Sequence, residues 1–197
     1  MPKVVDHAER RSQIAEAVWR VVRRDGVEGA TVRAVAAEAG WSPSALRHYF
    51  VTQDELLTFT MSLVADRARA RIEALPAVAD PVRRAERVLS ELLPLDDERR
   101  TENAVWIAFN ARALVDPSIR AVRDSTYDAI RAVCHGLVVD LVPGAGSLPR
   151  ADVDLLVREL NALLDGLAVH AALRPELWSP RQLRQVLRHH LDGIRDR

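Results

Sequence analysis

The sequence predicts an all-α protein of nine helices, and three observations carry that reading. Four helix starts are written alike, with a capping side chain before a proline: Ser42 and Pro43, Asp80 and Pro81, Asp116 and Pro117, Ser179 and Pro180. Apolar residues recur at three- and four-residue intervals along nearly the whole chain. No segment alternates as a half-buried strand would.

Taken in order, the first helix is expected over residues 8–25, where Ile14, Val18, Val21 and Val22 form a stripe and Gly26 ends it. A short helix over 31–39 opens on the hydroxyl cap of Thr31, carries Val32, Val35, Ala36 and Ala39 at helical spacing, and stops at Gly40. After Trp41, the pair Ser42 and Pro43 opens a second short helix over 43–50, anchored by Leu46 and Phe50 four residues apart. The helix over 52–75 begins with a capping box, Thr52 and Glu55, and a hydrophobic staple between Val51 and Leu56. Further helices follow over 81–93, 96–115, 117–142, 150–173 and 180–194, with one loose loop over 143–149.

The stretch over 31–57 is the informative one. In its second short helix Ser44, Arg47 and His48 point away from the anchors, with Tyr49 at the rim, and packing does not explain those polar residues. Two short helices joined by a glycine-containing turn make a helix-turn-helix, whose second helix lies in the major groove of DNA. An ordinary helical hairpin is the plainer alternative.

The residues from about 14 to 57 resemble the N-terminal domain of the tetracycline repressor (TetR) family of bacterial transcription factors. The likeness rests on Thr31, Val32 and Arg33, on residues 35–40 and 42–50, and on Asp54, Glu55, Leu56 and Leu57. Within a late helix, Asp165, Gly166, Leu167 and Ala168 resemble the subgroup typified by the regulator of betaine synthesis, without carrying its choline ligand across. The resemblance implies a helix-turn-helix domain over 1–52 and a ligand-binding and dimerisation domain over 53–197. It implies a ligand-responsive transcriptional regulator, a repressor by family habit, that binds a palindromic operator in double-stranded DNA as a homodimer and is released by a small-molecule effector. In the reading helix Ser44, Arg47 and His48 are then the base-edge candidates, arginine being suited to the O6 and N7 of guanine. Thr31, Arg33, Ser42, Tyr49 and Gln53 are the phosphate candidates, and Trp41 packs on sugar or braces the hairpin. Gln53 stands where the family usually has lysine, which removes an ionic contact at the start of the fourth helix.

Self-association is expected in the last two helices. Leu183, Val186, Leu187, Leu191 and Ile194 follow helical spacing, as do Leu156, Leu160, Leu163, Leu164 and Leu167 before them, and either stripe could equally be core. The resemblance selects Leu183, Val186, Leu187, Leu191 and Ile194 as interface candidates. A twofold dimer would then present two reading helices about one DNA turn apart, roughly 34 Å. For the effector, Trp106, Phe109 and Asn110 lie at i, i+3 and i+4, while Tyr127, Asn161 and His170 are polar interruptions of apolar stretches. These six are the ligand-binding candidates. The alternative is that the aromatics are core and the polar groups reach solvent.

Composition sets limits on this picture. The chain has 197 residues, 48% of them hydrophobic, enough to bury a core without disulfides. Its single cysteine, Cys134, reads as a buried thiol. The longest uncharged run, residues 56–65, is far short of the roughly 20 that span a bilayer, and no signal-like segment opens the chain, so a cytoplasmic protein is expected. Net charge is zero, yet residues 1–50 carry 8 basic against 6 acidic side chains, a balance of +2, with Lys3, Arg10, Arg11, Arg33 and Arg47 among them.

No enzyme motif is found. Gly144 and Gly146 lack the rest of a phosphate-binding loop, and there is no G-x-S-x-G, S-x-x-K, H-E-x-x-H or cysteine pair. His189 and His190 are adjacent and diverge by about 100 degrees on a helix, which does not suit zinc. Asp152 and Asp154 sit where they favour a helix start. No metal or cofactor is expected. The rival readings are a helical small-molecule-binding protein or enzyme whose helix-turn-helix is scaffold, and a nonspecific architectural DNA binder.

Overall fold

A computed structural model of the chain describes residues 7–142 and 148–197. Lys3 of the expected N-terminal arm, and Gly144 and Gly146 of the expected loop, lie outside them. The described residues form nine α-helices and no strand. Helix α1 spans His7–Gly29 with a left-handed break at Gly26, where φ is 76°, so the predicted glycine stop appears as a break followed by one more turn. Helix α2 spans Val32–Glu38, α3 Pro43–Arg47 and α4 Gln53–Glu73. Helix α3 is shorter than expected because its last turn tightens: the Tyr49 and Phe50 amides both donate to the Leu46 carbonyl, at 2.9 and 3.0 Å. Thr52 caps α4 as predicted, accepting from the Glu55 amide at 3.1 Å. Glu55, however, reaches back to the amide of Val51 at 2.6 Å, and Val51 is 76% exposed, so the expected staple with buried Leu56 does not form.

The body comprises α5 (Pro81–Ser90), α6 (Asp97–Val115), α7 (Arg120–Leu141), α8 (Arg150–Leu173) and α9 (Pro180–Arg195). Ser42, Asp80 and Ser179 cap helices that open on proline, as their sequence predicts. The fourth such pair behaves differently. Pro117 opens a 3₁₀ turn ending at Ile119, α7 begins without a side-chain cap, and the Asp116 carboxylate pairs back to Arg112 at 3.3 Å.

Two apolar clusters form the interior. One joins α5, α7, α8 and α9 around Leu89, Val138, Leu160, Leu187 and Leu191. The other holds the head: Ile14, Val18, Val21, Val35, Leu46, Phe50 and Leu56 pack with Val105, Phe109 and Ala113 of α6. The expected domain border at residue 52 coincides with the cap of α4, but the head's core continues across it into α6. Phe109, expected at the ligand site, is 0% exposed inside that shared core. Leu183, Leu187, Leu191 and Ile194, expected at the dimer interface, are 0–1% exposed in the protomer's own body core. That stripe is corrected to core: side chains without exposed surface offer nothing for a second copy to cover, and only Val186 of the five is half-buried.

Ion pairs tie α4 to this frame at both ends. Near its C-terminal end, Arg71 donates to both carboxylate oxygens of Glu102, at 2.8 and 2.6 Å, and to Glu91 at 2.9 Å. Burial pushes the Glu102 carboxyl above the ordinary carboxylate range, with the Arg71 guanidinium pulling it back. At the start of α4, Asp54 takes a two-point contact from Arg112 of α6, at 2.8 and 3.0 Å. Arg67 of α4 also lies over the Trp19 ring of α1, 4.1 Å from its centroid.

Because Phe109 serves head and body together, Phe109→Ala should cost about 3–5 kcal/mol. Urea unfolding of the parent chain followed by circular dichroism and by tryptophan emission should give one coincident transition. Two separated transitions would show that α1–α3 close their core without α6.

Candidate nucleic-acid interface and ligand cleft

The candidate reading surface is built by two caps and a turn. Thr31 accepts from the Ala34 amide and Ser42 from the Ala45 amide, each at 3.1 Å, which fixes where α2 and α3 begin. Between them Gly40 adopts φ 70°, a conformation that strains any side chain, and the Trp41 amide folds back to the Ala36 carbonyl at 2.8 Å. Glu38 receives Arg20 and Arg24 of α1, both at 2.7 Å, and the two guanidinium groups hold its carboxyl below the usual range. These contacts lock α2 against α1.

On that frame Leu46 and Phe50 turn inward, while Ser44, Arg47 and His48 are exposed together along α3, as the sequence predicts. Arg33 is exposed, and like Arg47 it forms no ion pair with a described residue. Tyr49 is half-buried, its ring 5.7 Å from that of Trp41 at 53°. Gln53, expected as a phosphate contact, is exposed and has one neighbour in the head. Its side-chain amide donates to the Ala30 carbonyl at 2.8 Å, tying the start of α4 to the α1–α2 connection. Ser42 and Thr31 commit their oxygens as acceptors to the caps and keep their hydroxyl hydrogens as donors.

A second site lies between α6, α7 and α8, a cleft of about 630 Å³ lined by Trp106, Asn110, Leu114, Arg123, Asp124, Tyr127, Asp165 and Val169, among others. Of the six ligand candidates it gathers Trp106, Asn110 and Tyr127. Phe109 is behind it in the head core, Asn161 is 5% exposed in α8, and His170 stacks on Trp178 with ring centroids 6.0 Å apart. Asp165, which the sequence marks for its subgroup likeness but not as a ligand candidate, also lines the cleft, and a carboxylate interrupting an apolar helix is the signal for it. Burial pushes its carboxyl above the ordinary range, and a hydrogen bond from the Trp106 side chain opposes that rise. Asn103 donates to the Ala168 carbonyl at 2.9 Å and fastens α6 to α8 along one wall. With Asp124 paired to Arg123, the cleft has two carboxylates against one guanidinium. Cys134 is buried, its thiol pushed up to about 12 by desolvation and then by the Asp165 charge, which leaves it inert. Among the described residues no group of three or more His, Cys, Asp or Glu could hold a metal ion, and no helix is long and apolar enough to cross a membrane.

Residues 14–58 match the family described as bacterial regulatory proteins, tetR family, and residues 81–196 match the BetI-type transcriptional repressor C-terminal domain. The chain is 41% identical over 196 residues to the HTH-type transcriptional regulator PksA of Bacillus subtilis, covering 98% of this chain and 94% of that protein. It is 28% identical over 200 residues to the HTH-type transcriptional regulator BetI of Paraburkholderia phytofirmans, covering 98% and 97%. Among solved structures, a transcriptional regulator from Rhodococcus sp. Rha1 superposes with a TM-score of 0.79 at 32% identity, covering 93% of this chain and 95% of that one. A regulator from Saccharomonospora viridis, solved in complex with choline, shares the fold with a TM-score of 0.77 at 24% identity, covering 94% and 97%. The capped reading helix, the core that joins it to the body and the two matched domains agree: the chain belongs to the TetR family of bacterial transcriptional regulators, with a BetI-type C-terminal domain.

Proposed function

We propose that the chain is a cytoplasmic, homodimeric repressor without catalytic activity, which binds a palindromic operator and leaves it when a small organic cation fills the cleft between α6, α7 and α8. The observation that carries the reading is the double duty of α6. Val105, Phe109 and Ala113 close the core of the DNA-binding head, while Trp106, Asn110 and Leu114, one residue further round the same helix, line the cleft. A ligand that prefers a shifted α6 therefore biases the head, and Asp54 with Arg112 links that helix to the first turn of α4.

The ligand class follows from the cleft's chemistry. An aromatic pair, Trp106 and Tyr127, beside the half-buried Asp165 carboxylate suits an ammonium group bearing apolar substituents. The choline bound by the Saccharomonospora regulator is a molecule of that class. For dimerisation the outward face of α8 is the better candidate now that the α9 stripe is core. Leu155 is 52% exposed and Leu173 70%, and with Ala162 and Gly166 they lie on one stripe of the helix.

Selection of bound duplexes from a random library at physiological salt should recover a palindrome with half-sites about one helical turn apart. On that operator Arg47→Ala should cost about 1–3 kcal/mol and little on random DNA, whereas Thr31→Ala should weaken both. Equal losses for Arg47→Ala on the two DNAs would remove it from the base-reading set.

Calorimetric titration with choline and bulkier quaternary ammonium ions should show affinity that rises with pH as Asp165 ionises, through a midpoint above the ordinary carboxylate range. Asp165→Asn should lose about tenfold or more and flatten the pH profile. The same substitution should stabilise the ligand-free protein at neutral pH. Folding raises this carboxyl's pKa, so its contribution is present below the unfolded value and is lost as pH rises through the folded one. Neutral isosteres that bind as well as the cations would overturn the ligand assignment.

A further inference from the structure

A cleft of about 600 Å³ lies between α1 and the end of α3, lined by Arg10, Gln13, Trp41, Ala45, His48 and Tyr49. Five of those six side chains carry hydrogen-bond donors and none is a carboxylate. Four other clefts of the described residues each include at least one Asp or Glu: Glu28 and Asp54, Asp66, Asp124 and Asp165, Asp54 and Glu55. Arg10 is the cation of this site. It is half-buried, its guanidinium carbon lies 5.7 Å from the centroid of the Trp41 ring, and it makes no hydrogen bond or ion pair with any described residue. Further along the same helix, Arg20 pairs with Glu16 and Glu38, and Arg24 with Asp25 and Glu38.

A guanidinium held over an indole and denied an acidic partner is poised for an anion. The position says which anion. Ala45 and His48 of the reading helix form one wall, and a helix seated in the major groove has a sugar–phosphate strand along each of its edges. We infer that this cleft seats a backbone phosphodiester of the operator, with Arg10 supplying the charge and Gln13, His48 and Tyr49 supplying neutral donors. Trp41 is then the platform that orients Arg10, itself leaning on Tyr49. His48 moves from the base-reading set to the backbone set. The inference deepens the DNA-binding reading and depends on it.

The test uses the full-length protein, with anisotropy titrations of operator and random duplexes across a salt series. Arg10→Ala should lower affinity for both duplexes by a similar factor, about tenfold at low salt, and reduce the steepness of log K against log salt by about 0.9. Arg10→Lys should restore the slope. Gln13→Ala and His48→Ala should weaken both duplexes alike with the slope unchanged. The inference is overturned if Arg10→Ala leaves the slope as it was, if His48→Ala weakens only the operator, or if Arg10→Lys fails like alanine while lowering the melting temperature, the mark of a brace for Trp41. A parent protein that binds no DNA would refute the regulator reading and this seat with it. A parent that binds normally beside an unaffected Arg10→Ala variant would refute the seat alone.

Discussion

The packing of α6 into the head is the constraint on which the rest depends. The buried side chains of α1, α2 and α3 share one core with Leu56, Met61 and Val64 of α4 and with Val105, Phe109 and Ala113 of α6. Phe109 is the largest of the three from α6 and has no exposed surface. The reading helix is therefore positioned by a core that belongs to both halves of the chain. This makes α6, together with α4, a structural member shared by body and head.

The helical repeat explains why one element can do both. Residues at i, i+4 and i+8 from Val105 face the head, and the set displaced by one residue, Trp106, Asn110 and Leu114, is turned by about 100 degrees toward the cleft. Close-packed interiors have little room to absorb a shift, so a displacement on one face is felt on the other. Two further contacts carry the same helix outward: Asn103 to the α8 backbone and Arg112 to the first turn of α4. For the proposed effector, only a difference in affinity between two positions of α6 would do work on the head; equal binding to both would leave the operator affinity unchanged.

Charge in this protein is allocated by position, which reconciles a net charge of zero with a nucleic-acid partner. Glu38 absorbs Arg20 and Arg24, and Glu91 and Glu102 absorb Arg71, so those cations are spent on holding helices together. Arg10, Arg33 and Arg47 have no such acid partner among the described residues, and all three belong to the head. In the body cleft the allocation is reversed, with Asp165 as a carboxylate that has no guanidinium partner among the described residues. The two sites thus carry opposite local charge although the sum vanishes.

The sequence alone determined what depends on neighbours along the chain. Ser42, Asp80 and Ser179 mark their helices because a cap is a contact between an oxygen and an amide three residues on, and the exposed row Ser44, Arg47 and His48 follows from the repeat of a short helix with two anchors. At Asp116 and Pro117 the outcome differs: a 3₁₀ turn precedes α7, and Asp116 pairs with Arg112. Only the tertiary structure decided which neighbour covers each stripe. Leu183, Leu187, Leu191 and Ile194 are consumed by the protomer's own core and Phe109 by the head, Gln53 gives one hydrogen to the Ala30 carbonyl, and Arg10 and Asp165 come to line two clefts beside residues far away in sequence. Periodicity states that a helix has an apolar face; it holds no information about what will be packed against it, because that partner is chosen by contacts across the whole chain.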